Sequence, residues 1–132
     1  MDVGINYLSV VVAAVAAFVI GWIWYGPLFG KLWAKEKGMD MAGAGMGYGS
    51  LVGEYIAQLV TAYVLAHFIV LLGVMELSAA LQLAFWTWLG FYATMLVGPV
   101  LWEKGSWTVF AIAAGRALVS LGVMAAILAL WQ

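Results

Sequence analysis

Three ionisable residues lie inside long apolar runs: Glu54, His67 and Arg116. A charge at the centre of a bilayer costs about 2.5–3.5 kcal/mol on insertion scales, so each of the three demands a structural or a functional reason. Glu54 enters its run about three residues from one end and Arg116 about nine, a depth difference of about 9 Å at 1.5 Å per residue. The long Arg side chain can bridge that difference by reaching toward the boundary. Gln58 stands one helical turn after Glu54 and shares its face. Two chemistries fit Glu54, Gln58 and Arg116: an ion pair that locks two helices, or a gated pair along a polar path for an ion or proton. The lock is the expected one.

His67 is about 180° around the helix from Gln58 and does not share that face. A neutral imidazole there could ligate haem or chlorophyll, or bond a neighbouring hydroxyl or carbonyl. A lone His on an apolar helix is expected to do the latter, with Tyr63 one turn earlier as local partner. The sequence holds one His and no Cys, which excludes bis-His haem, a His-based metal site within one chain, thiolate sites and disulfides. The serines lack a plausible triad, since the chain has a single His and its acids lie mostly at the span boundaries. No catalytic residue and no metal ligand set is therefore expected, and the chain is not read as an enzyme.

The elements that must hold these residues are helices. About 20 apolar residues cross about 30 Å of hydrocarbon, and four stretches qualify: about 5–25, 51–74, 77–101 and 107–131. Backbone polar groups in lipid must be satisfied within their own segment, which selects helices over open sheet. Continuous runs such as Ile69-Val70-Leu71-Leu72 lack the alternation of a membrane β-strand. Lys31, Lys35 and Lys37 follow the first stretch and Lys104 the third, whereas the other links and both ends carry no Lys or Arg. This asymmetry places loop 31–50 and the link near Lys104 in the cytoplasm and both termini outside it. Trp22, Trp24, Tyr25, Trp33, Trp102 and Trp107 gather at the same boundary. Lys31 to Lys37 reads as a short interfacial helix beyond Pro27.

Composition agrees. Of 132 residues, 67% are hydrophobic and 8% charged, against roughly 25% charged in soluble domains; mean hydropathy is +1.10. So few charges cannot cover a small soluble domain. A net charge of −1 gives no footprint for nucleic acid. The expected solvent is the lipid bilayer of a bacterial cytoplasmic (inner) membrane, and the expected fold is an all-α integral membrane four-helix bundle. Residues 1–132 form one multi-pass domain, with short links that make neighbouring helices antiparallel.

Lipid is as apolar as Leu, so helices associate through small residues and polar bonds. Ala13, Ala17 and Gly21 form such a face in the first stretch, Gly90, Thr94 and Gly98 in the third, and Ser120 belongs to one in the fourth. Those faces could meet inside one bundle or against a partner subunit. Gly26-Pro27-Leu28-Phe29 and Gly98-Pro99-Val100-Leu101, each followed by Lys and Trp, hint at an internal repeat.

The block Gly21-Trp22-Ile23-Trp24-Tyr25-Gly26-Pro27-Leu28-Phe29-Gly30-Lys31-Leu32-Trp33 resembles the signature of a family of small bacterial membrane proteins, domain of unknown function 1761. Ala62 to His67, Gly90-Phe91 with Ala93-Thr94, and the stretch from Trp107 to Trp131 are similar to it as well. The resemblance implies four spans and supplies no activity or site residue. Gly115-Arg116 departs from the more usual Gly-Tyr-His of that family.

Two roles are expected from these features. One is a structural or accessory membrane subunit that packs with itself, as a homo-oligomer, or with a larger membrane complex. The other is a small oligomeric channel or transporter using Glu54, Gln58 and Arg116.

Overall fold

The computed structural model describes residues 4–37 and 48–132. The regular elements among the described residues are all helical, with no strand: α1 (Tyr7–Ile23), α2 (Gly30–Lys37), α3 (Tyr48–Leu71), α4 (Leu77–Thr87), α5 (Thr94–Leu96), α6 (Gly98–Trp102) and α7 (Trp107–Leu130). Four helical stretches are long and apolar enough to cross a membrane: Tyr7–Leu28, Gly49–Leu71, Leu77–Trp102 and Trp107–Leu130. They coincide with the four expected spans to within a few residues. A helix is present where one was expected over Lys31 to Lys37, as α2; residues 38–47 of loop 31–50 lie outside the described residues.

Helix ends are set by local chemistry. Asn6 caps α1 by accepting from the Leu8 and Ser9 N–H groups, and Ser106 caps α7 by accepting from Thr108 and Val109. Each side chain satisfies donors that have no carbonyl one turn earlier. Pro27 has no N–H to give, so the end of the first span bulges into a π turn, Trp24–Leu28. There the Phe29 N–H reaches Trp24 O at 2.9 Å, five residues back, before α2 resumes. The two Gly-Pro segments are locally different. Pro27 sits inside a π turn, whereas Pro99 sits in the first turn of α6, and the third span has its π segment earlier, at Trp88–Ala93.

The core is made of small side chains. Ala13, Ala14 and Ala17 of α1, Ala62 and Ala66 of α3, Ala80 and Ala84 of α4, and Ala125 and Ala129 of α7 are buried with Ile69, Leu121, Met124 and Leu128. Alanine lets helix backbones approach closely, which is the main source of contact energy where lipid competes for every larger apolar group. α1 and α7 pack on each other; α3 lies against both, and α4 leans on α7. Asn6 donates to Trp131 O, and Gln132 donates to Val74 O. These bonds gather the start of α1 and the ends of α3 and α7 at one end of the bundle. At the other end the Ser106 hydroxyl donates to Glu36 of α2 at 3.0 Å.

The third span is the least enclosed. Only 6% of its most apolar stretch is buried within the chain, against 39% for the fourth span. Ala80 and Ala84 are its buried residues. Gly90 and Thr94, expected as a packing face, are exposed, and Gly98 is half-buried with nothing within 4 Å of a would-be Cβ. That face is therefore not used in packing among the described residues. The face that is used, Ala80 and Ala84, begins ten residues before Gly90, and Trp88 holds this part of the helix onto α7 through its indole bond to Ala114 O.

Candidate functional site

Three spans converge on one stretch of α7. From the first span, the Trp24 indole Nε1 donates to Ile112 O at 2.9 Å. From the third, the Trp88 indole Nε1 donates to Ala114 O at 2.7 Å. From the second, Glu54 Oε1 accepts from Arg116 Nη2 at 2.7 Å. All three contacts fall within Ile112–Arg116, little more than one helical turn.

The sequence explains why these groups reach. Trp24 and Trp88 each open a π segment, Trp24–Leu28 and Trp88–Ala93. An extra residue in a turn rotates the next turn of helix and frees the side chain to lean across to a neighbour. Gly115 supplies room for the Trp24 ring: a Cβ there would lie 3.2 Å from Trp24 Cζ2. Gly21 does the same for Arg116, since a Cβ on Gly21 would come within 2.6 Å of Nη2.

The carboxylate of Glu54 serves two donors. Its Oε1 accepts from Arg116 and also from Gln58 Nε2 at 2.9 Å. The expected meeting of Glu54, Gln58 and Arg116 is thus present. It is the only ion pair among the described residues. The pair is asymmetric: the Arg116 side chain is 18% exposed and that of Glu54 is 41%. Arg116 is held in the bundle, and Glu54 keeps an edge open. Arg116 Nε and Ser120 Oγ are buried without a hydrogen-bond partner among the described residues. Gln58 is buried, so its amide is committed to this cluster.

The remaining polar residues are satisfied close to home. The hydroxyls of Thr61, Thr87 and Thr94 donate to the carbonyls of Ala57, Leu83 and Gly90, each four residues earlier. His67 Nδ1 donates to Tyr63 O at 2.8 Å, and its ring stands edge-on to Tyr63 with centroids 4.6 Å apart. His67 therefore sits away from the cluster, tied to its own helix by the carbonyl bond that its spacing from Tyr63 suggests. Among the described residues, no three His, Asp or Glu side chains come close enough to hold a metal.

The two indole bonds are the part that sequence reading missed. Both tryptophans look like interfacial or lipid-facing residues in a linear sequence, because the π turns that redirect them are not visible in the apolar pattern. Pro27 is the one local signal, since its missing N–H forces a change of helical register after Trp24.

A family profile described as "Protein of unknown function (DUF1761)" matches residues 8–129. No curated protein and no solved structure matches the chain.

Proposed function

Since the chain belongs to the DUF1761 family, which carries no assigned activity, its role must come from its own faces, and we propose an integral membrane subunit of structural or accessory kind that assembles through its third span. The observation that carries this reading is the exposed row Ser78, Gln82, Trp86, Gly90 and Thr94, one residue in every four, continued by half-buried Gly98. In an unbroken α-helix such a row drifts by about 40° per step. The π segment Trp88–Ala93 lies in the middle of the row. One inserted residue winds the row back by roughly 100°, which keeps the small and polar positions on one side. In lipid, small residues such as Gly90 and Gly98 let helix backbones approach closely, which is what brings helices together.

The polar inventory supports a scaffold over a conduit. Thr61, Thr87 and Thr94 spend their hydroxyls on their own helices, and Gln58 spends its amide on Glu54. The clasp on α7 reads as a lock that holds the first three spans in register with the fourth. It needs neither a cofactor at His67 nor an enzymatic role.

The proposed setting is a bacterial cytoplasmic membrane, and the lysine asymmetry supports an orientation in it with Lys31, Lys35, Lys37 and Lys104 on the cytoplasmic side. Both termini then face away from the cytoplasm, and neighbouring spans run antiparallel.

The test is the number of copies in a native nanodisc, measured by native mass spectrometry. Two or more copies, or a constant companion protein, are expected, with reversion to single chains in Gly90→Leu/Thr94→Leu. A native particle holding one copy and no companion would sink the proposal. Ion flux that disappears in Glu54→Gln while assembly stays intact would favour the conduit instead.

A further inference from the structure

The end of the molecule that carries α2 also carries a tight turn between the third and fourth spans. The Glu103 and Gly105 N–H groups both donate to Pro99 O at 3.0 Å, which folds the link back on α6. A Cβ on Gly105 would lie 3.0 Å from that same oxygen, so a side chain there would press on the closure. At the tip stands Lys104 with φ +55, the only non-glycine residue with positive φ among the described residues. A left-handed conformation is costly for a side chain of this kind, and strain of this sort is retained where the side chain is needed. Trp102 and Trp107 flank the turn and are 86% and 60% exposed.

The turn is joined to α2 by the bond from Ser106 to Glu36. On α2, Lys31 and Lys35 are exposed one turn apart, whereas Ala34 is buried against the bundle and Trp33 stands edge-on to Tyr25. Glu36 is about 100° around the helix from Lys35, so its bond to Ser106 turns the acid away from the lysine face. Glu103 is the acid beside Lys104.

We propose that this end is a binding surface for anionic phospholipid headgroups. Lys104 on its strained turn and Lys31 and Lys35 on α2 face the phosphates, while Trp102 and Trp107 anchor the turn at headgroup depth. Among the described side chains at this end, Lys31, Lys35 and Lys104 set against Glu36 and Glu103 leave one net positive charge, and a basic residue near an anionic membrane surface is worth about five-fold in association. The inference rests on the membrane reading above, and the test separates the two.

The full chain is reconstituted in vesicles of phosphatidylcholine and phosphatidylglycerol in equal amounts, with one lipid or the other brominated, and quenching of tryptophan fluorescence gives the relative binding constant. A preference of about five-fold for phosphatidylglycerol is expected, weakened by 0.5 M NaCl. It falls toward one in Lys31→Gln/Lys35→Gln/Lys104→Gln, survives the three Lys→Arg replacements, and rises in Glu103→Gln. Lys104→Gly separates charge from packing, because it relieves the turn and raises the unfolding temperature yet lowers the preference. A ratio near one in the native chain, or a ratio unchanged in the triple Gln variant, would overturn the proposal alone. Absence of quenching by brominated phosphatidylcholine would overturn the membrane reading together with it.

Discussion

Arg116 lies against Gly21 of the first span: its Nη2 occupies a point 2.6 Å from where a Cβ on Gly21 would stand. Gly21 is thus the floor on which the guanidinium rests while Glu54 holds it from α3 at 2.7 Å. A helix glycine normally weakens its helix relative to Ala, so the position shows packing overriding propensity.

Gly21→Ala should therefore destabilise the chain. Ala gains about 1 kcal/mol of helix propensity, but the new methyl displaces a charged hydrogen bond worth about 1.5–3 kcal/mol. A net loss of roughly 1 kcal/mol is expected by unfolding titration in mixed micelles. Gly53→Ala is the control, since nothing lies within 4 Å of a Cβ there; it should be neutral or stabilising by up to about 1 kcal/mol.

Removing either charge should not be symmetric. Arg116 is the more enclosed partner, so Glu54→Ala strands a cation inside the bundle, whereas Arg116→Met leaves a carboxylate that keeps Gln58 and an open edge. Glu54→Ala is expected to cost about 2–3 kcal/mol, and Arg116→Met about half as much. The double variant should lie nearer to Arg116→Met than to the sum, which a double-mutant cycle on the same titration would read directly. Equal single costs that add without coupling would contradict the lock.

Trp24→Phe and Trp88→Phe should each cost about 1 kcal/mol, the net worth of one hydrogen bond. Neither strands a partner, because Ile112 O and Ala114 O remain acceptors within α7. Since both indoles grip the same stretch of α7, hydrogen exchange at Ile112–Arg116 should quicken in either variant and most in the double one.

Asn6→Ala and Ser106→Ala each remove a helix cap and a bond to another element. Each should lower stability by about 1 kcal/mol. The two effects should add, because the residues sit at opposite ends of the bundle and share no partner.

Much of this was legible in the residue order. The four long apolar helical stretches, the short helix α2 and the bond from His67 to Tyr63 all depend on neighbours within a few residues, so apolar run length and spacing suffice. The meeting of Glu54, Gln58 and Arg116 was legible too, because a charge within an apolar helix has few partners and depth alone narrows the choice. What only the tertiary structure decided is which small-residue face each helix uses. Ala80 and Ala84 enter the core while Gly90 and Thr94 stay outside, since the third span offers more than one small-residue face and contact with α7 selects between them. The two indole bonds are of the same kind. They depend on π turns that shift the register by one residue, and on the gap left at Gly115, and neither leaves a mark on the hydrophobic pattern.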